Sequence, residues 1–198
     1  MISILNYGAG NLRSVQNTLD EIGVEYDLVH TGDELRRATK IVLPGVGHFG
    51  QMMRALDDMQ VRQPLLERIH AGVPFLGICL GLQALFSSSE EAPELSGLGI
   101  FQDKVRRFTG DLRVPHMGWN QLDTTRASKL LANIPEASYV YFAHSYYVPV
   151  VDATAATCTY TLAYTAVLAS DNLFGVQFHP EKSGPLGVSI VRNFVELC

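Results

Sequence analysis

The chain has 198 residues, a formal net charge of −5 at pH 7, 47% hydrophobic residues and only 18% charged residues. This length suits one α/β domain with a substantial core, and we take residues 1–198 as a single domain. The acidic balance and the absence of a basic run argue against nucleic acid as the main ligand. No apolar run approaches the length that crosses a membrane.

The N-terminus and the cysteines predict a cytoplasmic location. Residues 1–5 open directly into a strand-like run and do not resemble a signal peptide. Three widely spaced cysteines, an odd number, fit a reducing compartment better than a disulfide framework. We interpret two of them, Cys158 and Cys198, as structural or incidental.

The first half of the chain alternates predicted strands and helices. Residues 2–6 form an apolar run that predicts the first core strand, and residues 40–43 predict another. Between them, apolar residues recur at helical spacing over residues 12–22, with Asn11 placed as the N-cap. The same spacing predicts helices over residues 49–56 and from residue 65 onward.

Two glycine motifs raise the alternative of a nucleotide-binding protein. Residues 8–10 give half of a dinucleotide fingerprint, but Arg13 stands where its third glycine would be. The run Gly45-x-Gly47-x-x-Gly50 matches in full, yet Pro44 stands where the strand should enter the turn. The acidic residue expected about 20 positions on would be Glu67, inside a helical pattern. We therefore favour a different role for this loop, which is to present backbone N–H groups to an oxyanion.

Residues 75–83 contain the strongest catalytic signal. An apolar run enters a Gly-x-Cys-x-Gly turn, and a helix-compatible segment follows over residues 80–86. We predict a buried parallel strand that turns sharply into a helix with Cys79 at the apex, where the flanking glycines permit the turn. A helix N-terminus favours the nucleophilic thiolate. The alternative is a buried structural cysteine, or one that is merely redox-sensitive in a regulatory module.

A base and a carboxylate follow a second predicted strand near the end of the chain. Residues 174–178 predict the strand, and His179-Pro180-Glu181 comes directly after it. Because Pro180 forces an extended or turned backbone, Glu181 can point back at the imidazole of His179. Open α/β sheets place their sites at the carboxyl ends of strands, so Cys79, His179 and Glu181 are expected together.

The second half of the chain is richer in β-structure. Residues 87–97 predict a surface loop, and residues 98–150 contain short β-like runs, among them residues 104–108 and 139–142. A hairpin is expected over residues 167–176, and Gly184-Pro185 opens a closing helix. The predicted fold is a three-layer α/β domain, with an open, mostly parallel sheet, flanking helices and β-rich insertions.

The motifs around Cys79 and His179 resemble those of the class I (triad) glutamine amidotransferases, whose fold is flavodoxin-like. Within this superfamily the chain is similar to the glutaminase subunits of imidazole glycerol phosphate synthase, over essentially its whole length. Other glutaminase subunits, such as those of pyridoxal phosphate or anthranilate synthesis, would share the triad but not residues 115–120. The blocks that carry the resemblance are residues 6–12, 44–47, 77–81, 115–120, 142–147 and 179–183.

The resemblance implies hydrolysis of L-glutamine. Cys79 would form a γ-glutamyl thioester, His179 would act as acid and base, and Glu181 would orient the imidazole. No cofactor and no metal ion are expected. The residues expected to bind the substrate or its oxyanion are Gly45, Val46, Gly47, Leu80, Gln83, Ser145 and Tyr146.

The resemblance also implies a partner, a cyclase subunit with a (β/α)8 barrel that forms a heterodimer with this chain and receives ammonia through an internal channel, in histidine biosynthesis. Neither nucleic acid nor membrane is an expected partner. The lone Trp119, in a glycine-containing loop after a proline, is a poor core candidate and fits an interface. The expected interface residues are His116, Met117, Trp119 and Lys182.

Overall fold

The computed structural model describes residues 1–8, 11–110 and 113–198. Within these ranges the chain forms thirteen β-strands and six α-helices. The strands are β1 (Ile2–Leu5), β2 (Tyr26–Val29), β3 (Ile41–Gly45), β4 (Phe75–Cys79), β5 (Phe86–Ser89), β6 (Phe101–Arg107), β7 (His116–Gln121), β8 (Asp123–Thr124), β9 (Tyr139–His144), β10 (Tyr146–Tyr147), β11 (Thr154–Tyr160), β12 (Leu162–Ser170) and β13 (Leu173–Val176). The helices are α1 (Leu12–Ile22), α2 (Gly32–Arg37), α3 (Phe49–Asp58), α4 (Arg62–His70), α5 (Leu80–Gln83) and α6 (Gly184–Leu197).

Eight strands form the central sheet, in the order β2-β1-β3-β4-β13-β12-β11-β8. The five strands from β2 to β13 run parallel, and the last three are antiparallel to their neighbours. Parallel neighbours end at the same edge of the sheet, so β3, β4 and β13 deliver their following residues to one place. The predicted open, mostly parallel sheet is confirmed.

Helices cover both faces of this sheet. Successive side chains of a strand point to opposite faces, and the two buried clusters follow that alternation. Ile4 packs in the cluster that contains residues of α1 and α6, whereas the adjacent Leu5 packs in the cluster that contains residues of α2, α3 and α4. The result is the predicted three-layer arrangement. No helix in the described ranges is long and apolar enough to cross a membrane.

Most of the predicted elements are present. The helices over residues 12–22 and 49–56, the hairpin of β12 and β13, and the closing helix α6 are all found. Asn11 is the N-cap residue of α1, but its side chain makes no capping hydrogen bond. Two elements that the sequence analysis did not identify, β2 and α2, lie between α1 and β3; α2 begins with a capping box formed by Thr31 and Glu34.

Three predictions of local structure are wrong. The helix expected to reach residue 86 ends at Gln83, and the expected surface loop begins with strand β5, which pairs with β6. A run of serines with nearby glutamates and a proline is typical of a loop, but Ser87 Oγ donates to the carbonyls of Gln102 and Asp103 in β6, a contact between distant segments that composition does not reveal. The segment around Trp119 is strand β7, paired antiparallel with β9, and not a loop.

The turn from β4 into α5 leaves no room for a Cβ at two glycines. A Cβ on Gly77 would lie 2.5 Å from the carbonyl carbon and oxygen of Gly81. A Cβ on Gly81 would overlap the carbonyl oxygen of Leu43 in the neighbouring strand β3. Helix α5 therefore lies directly on the backbone of β3 and β4, which only glycine at these positions permits.

We predict that Gly81→Ala lowers the free energy of unfolding by about 3 kcal/mol, because the obstacle is backbone and cannot rotate away. Gly99→Ala is the matched control, since its Cβ would meet nothing within 4 Å and only its φ of +70° is unfavourable. The control should lose about 1 kcal/mol. Urea unfolding of both variants measures the difference, and equal losses would contradict the close approach.

Candidate active site

Cys79 is the last residue of β4 and the residue from which α5 begins. Its backbone has φ of 54° and ψ of −105°, a conformation that residues with a side chain rarely adopt. The strand on one side and the helix on the other hold this geometry, and the residue is 6% exposed. The sharp turn presents the thiol at the carboxyl edge of the sheet, as in a nucleophile elbow.

His179 lies beside Cys79 because their strands are neighbours. Strand β13 pairs in parallel with β4, with Val176 opposite Ile78, so both strands end at the same level. The 3-10 turn Pro180–Lys182 then turns the chain back, and His179 Nδ1 lies 2.8 Å from Glu181 Oε1. Both side chains are almost fully buried. The predicted constellation of Cys79, His179 and Glu181 is therefore brought together.

The surroundings of His179 favour its protonated form. Burial opposes the charge on the imidazole, but the hydrogen bonds and charges of Cys79 and Glu181 outweigh burial and raise the pKa of His179 to about 10. Since Glu181 occupies Nδ1, the Nε2 atom is left for the Cys79 side and for the substrate. An imidazolium held this way can donate a proton to a leaving group.

A cavity of about 270 Å³ opens in front of Cys79. Glu181 and Gly45 do not line it; they border a smaller space behind the site, together with Asn11. Four residues that the sequence analysis did not assign to the site also line the cavity, namely Glu91, Pro115, Ala143 and His144. The predicted residues that line it are Val46, Gly47, Cys79, Leu80, Gln83, Met117, Ser145, Tyr146 and His179.

The two glycines of the β3–α3 loop have different reasons to be glycine. Gly45 is buried in the ladder opposite Cys79, and a Cβ there would lie 2.5 Å from the Met52 side chain and 2.7 Å from that of Leu80. Gly47 has open space around its Cα but a φ of +98°. Conformational freedom is therefore needed at Gly47, whereas Gly45 allows a close approach.

Gln177 is a site residue that the sequence analysis missed. Its Nε2 donates to Cys79 Sγ over 3.5 Å, and its Oε1 accepts from Gln83 Nε2 over 3.1 Å. Gln83 Nε2 also donates to the carbonyl of Tyr146 over 2.9 Å. The signal was present in the sequence, because a glutamine inside the otherwise apolar run 174–178 has to find partners once buried.

Glu91 was missed because residues 87–97 were expected to be an exposed loop. Its Oε2 accepts from the backbone N–H of Phe49 over 2.7 Å, at the first residue of α3. This bond fixes the start of α3 directly after the loop of Val46 and Gly47. Among the described residues no group of three histidine, cysteine or acidic side chains is placed to hold a metal ion.

The expected interface residues divide between two faces of the β7–β9 ribbon. Met117 and Trp119 point outward and are 63% and 57% exposed. Lys182 is also exposed, and its Nζ lies 5.9 Å from the ring centre of Tyr141, which is paired with Trp119. His116 is 4% exposed, so its assignment to an exposed interface is wrong. Alternate residues of a strand face opposite sides, and His116 faces inward.

A profile of the family "Glutamine amidotransferase class-I" matches residues 3–198. Curated relatives named imidazole glycerol phosphate synthase subunit HisH come from Methanothermobacter thermautotrophicus, Nostoc punctiforme and Desulfitobacterium hafniense. The first is 46% identical and covers 100% of this chain and 98% of its own. The second is 47% identical and covers 98% of this chain and 95% of its own length. The third is 44% identical and covers 98% of this chain and 93% of its own length.

Solved structures share the fold at much lower identity. The structure of PurLQS from Thermotoga maritima aligns with a TM-score of 0.76 at 18% identity and covers 98% of this chain and 96% of that one. The glutaminase domain of Trypanosoma brucei CTPS, with bound acivicin, aligns with a TM-score of 0.68 at 16% identity and covers 98% and 93%. With the match to the family profile and the relatives above 40% identity, the chain belongs to the class-I glutamine amidotransferases and, within them, to the HisH family of imidazole glycerol phosphate synthase subunits.

Proposed function

We propose that this chain hydrolyses glutamine with a triad of Cys79, His179 and Glu181, and that it delivers the ammonia to a cyclase subunit with a (β/α)8 barrel, as a heterodimer. One observation carries the proposal: the buried His179–Glu181 pair, 2.8 Å apart, lies beside a cysteine held at the apex of a sharp turn. A cytoplasmic location belongs to the same proposal, because the nucleophile has to remain a reduced thiol.

In the first half of the reaction the Cys79 thiolate attacks the side-chain amide carbon of glutamine. The resulting tetrahedral oxyanion accepts hydrogen bonds from the Leu80 N–H, at the first position of α5, and from an N–H of the Val46–Gly47 loop. His179 Nε2–H then donates its proton to the amide nitrogen, the C–N bond breaks, and ammonia leaves. The product on the enzyme is a γ-glutamyl thioester.

In the second half a water molecule hydrolyses the thioester. Neutral His179 accepts a proton from the water at Nε2, the oxygen adds to the thioester carbon, and the Cys79 thiolate leaves. Glu181 holds Nδ1–H throughout, which fixes the ring and stabilises its charged form. Gln177, through its donor bond to Sγ, stabilises the thiolate before attack and after release.

The first functional prediction separates the two half-reactions. Cys79→Ala, assembled with the cyclase, should lose glutamine-dependent turnover and keep turnover with added ammonium salt, because only the ammonia source depends on the thiol. Cys198→Ala is the matched control, since this partly exposed cysteine lies at the C-terminus and does not line the cavity. Loss of both activities in a folded complex would contradict the assignment.

The partner surface, on this proposal, is the outer face of the β7–β9 ribbon with Lys182 beside it. Met117 belongs to this face and also lines the cavity, so the binding surface borders the site of ammonia release. Ammonia is mostly protonated at neutral pH and is then not nucleophilic, which is the chemical reason to pass it directly into a partner. A large exposed tryptophan next to such a path fits a central anchor.

Truncation of Trp119 tests the surface. Trp119→Ala should weaken association with the cyclase by about 2 kcal/mol, measured as a dissociation constant by calorimetry. Leu197→Ala provides the control, because Leu197 is 43% exposed and belongs to the end of α6, outside the ribbon. If both variants bind as tightly as the wild type, the ribbon is not the partner surface.

The Val46–Gly47 loop is proposed to gate the reaction. Hydrolysis without an acceptor wastes glutamine, so the isolated subunit should be nearly inactive until its loaded partner favours the competent loop. Gly47, with φ of +98°, is the residue that allows the adjacent peptide to turn. A hundredfold activation needs about 2.7 kcal/mol of coupling between the partner's ligand and this loop.

Gly47→Ala should reduce activated turnover far more than glutamine binding, because an alanine at this φ is strained and the oxyanion donor is needed only during the reaction. Gly72→Ala is the control, with a φ of +81° in equally open space outside the cavity. Steady-state glutaminase rates are compared for the free subunit, the bare complex and the nucleotide-loaded complex. A free subunit that already turns over at the loaded rate would contradict gating.

A further inference from the structure

Two buried histidines and one tyrosine form a polar chain that glutamine hydrolysis, as described above, does not use. His116 and His144 lie opposite each other in the β7–β9 ladder, and Tyr164 of β12 lies under both. Tyr164 Oη is 3.2 Å from His116 Nδ1 and 3.3 Å from His144 Nε2. The tyrosine is fully buried, and the two histidines are 4% and 5% exposed. The hydroxyl therefore lies between two imidazoles in the interior of the protein.

At the inner end of this hydrogen-bonded network, the Tyr146 carbonyl determines which nitrogen of His144 carries the proton. His144 Nδ1 lies 2.8 Å from the carbonyl of Tyr146, which can only accept, so Nδ1 carries the proton. Burial lowers the pKa of His144 to about 3 and that of His116 to about 4, so both rings are neutral. His144 Nε2 must then accept, and the Tyr164 hydroxyl has to donate to it. The hydroxyl oxygen is left to accept from His116 Nδ1–H.

At the outer end of the network, the hydrogen bonds of Asn120 require the same protonation of His116. Asn120 Oδ1 accepts from the N–H of Gln121 over 2.8 Å, and its Nδ2 donates to the carbonyl of Thr159 over 3.0 Å. These two backbone groups orient the amide, whose Nδ2 lies 3.4 Å from His116 Nε2. His116 Nε2 therefore accepts and its Nδ1 carries the proton. Both ends agree on one arrangement of protons.

The hydrogen-bonded network continues toward Cys79 through a shared acceptor, the Tyr146 carbonyl. The Tyr146 carbonyl receives His144 Nδ1–H and also Gln83 Nε2–H, and Gln83 in turn bonds to Gln177, the donor to Cys79 Sγ. Tyr146 and Ser145 line the cavity beside the thiol. A displaced Tyr146 carbonyl would therefore alter the cavity and loosen the glutamine pair that holds the sulfur.

We propose that Tyr164 is a positioning residue for glutamine binding: its hydroxyl holds His116 as the Nδ1–H tautomer, donates to His144 Nε2, and thereby fixes the His144 ring that holds the Ser145–Tyr146 segment in place. The effect on catalysis rests on the proposed function, whereas the tautomers do not. Cys158 also contacts this hydroxyl, and a thiol donor can use the second lone pair of the oxygen without reversing the chain.

The wild-type protein supplies the first test. In the chain labelled with ¹⁵N-histidine, NMR should show both His116 and His144 as neutral Nδ1–H tautomers, assigned by comparison with His116→Gln and His144→Gln. An Nε2–H tautomer at either ring in the folded wild type would overturn the proposal. This measurement needs no glutaminase activity and no partner.

The second test removes only the bridging oxygen. In Tyr164→Phe the buried His116 Nδ1–H has no acceptor, so His116 should lose its preference for this tautomer despite the 3.4 Å contact from Asn120, whereas His144, still held by Tyr146, should keep it. In the complex with the cyclase, KM for glutamine should rise by roughly fivefold with kcat changed less than about twofold, because binding is affected and the triad is not. Tyr160→Phe is the matched control: the ring of Tyr160 stacks on His116 at 3.9 Å, but its hydroxyl donates to Arg113 at the surface.

The outcomes are distinguishable. A folded Tyr164→Phe with wild-type His116 tautomer and KM, or with kcat and KM changed no differently from Tyr160→Phe, would refute the positioning role. If Tyr164→Phe does not fold, Asn120→Ala tests the same role: His116 should keep the Nδ1–H tautomer, because the Tyr164 hydroxyl still accepts from Nδ1, and loss of the tautomer in this variant would refute the role of Tyr164. Absence of glutaminase activity in the wild-type complex would refute the proposed function alone. The contacts of Tyr164 with the two histidines would still be tested by the NMR measurement of their tautomers.

Discussion

The site depends on the backbone of Cys79, whose φ of 54° is sustained by contacts on either side. Strand β4 is an interior strand of the sheet, with β3 on one side and β13 on the other, both parallel to it. Helix α5 lies on β3 because Gly81 has no Cβ to meet the Leu43 carbonyl. Strain of this kind, of order 1–3 kcal/mol, persists only where the surrounding structure fixes it.

The same ladder positions the other residues of the proposed triad and oxyanion site. On the β3 side, Gly45 pairs with Cys79, so the Val46–Gly47 loop emerges directly beside the thiol. On the β13 side, Val176 pairs with Ile78, so His179 emerges on the opposite flank. A one-residue change of register on either side would separate the proposed oxyanion donor or the proposed base from Cys79. The geometry of the site is therefore a consequence of sheet order and register more than of any single side-chain contact.

The parts of this arrangement that could be predicted from the sequence are local in the chain. Each turn at the site is encoded by a short motif: one by the apolar run into Gly-x-Cys-x-Gly, the other by His179 and Glu181 on either side of Pro180. The alternation of strands and helices predicts the parallel sheet. The apolar run around Gln177 signals a buried amide, but the partner of Gln177 and the place of Glu91 could not be predicted this way, because Cys79 and Phe49 are 98 and 42 residues distant in sequence. Long-range pairing leaves no periodic signal.

The β7–β9 ribbon shows where local reasoning misleads. Trp119 suggested exposure, and that expectation extended to His116 because both lie in one short motif. A strand reverses the direction of its side chain at every residue, so the two can face opposite environments only because the motif is a strand. Proline, glycine and a single tryptophan gave no sign of that strand, and its partner β9 begins at Tyr139, well beyond the motif.

The two faces of this ribbon provide two physical routes from a bound partner to the site. Along the backbone, the Tyr141 carbonyl accepts from His179 N–H over 2.9 Å, and the Tyr141 N–H donates to Ser183 Oγ, so a shift of β9 would move the proposed base His179. Through the side chains, the bridge of His116, Tyr164 and His144 contacts the Tyr146 carbonyl in the segment proposed to bind substrate.

A partner can move either part only by binding one arrangement of the ribbon more tightly than another. The first route ends at the proposed proton donor and the second at the carbonyl of Tyr146, a residue that lines the cavity. Loss of the Tyr141–His179 contact should therefore affect kcat, and loss of the Tyr164 bridge should affect KM. On the proposed function, the ribbon couples partner recognition to chemistry and to substrate binding by separate contacts: its inner face carries the buried His116 and His144, and its outer face carries the exposed Met117 and Trp119.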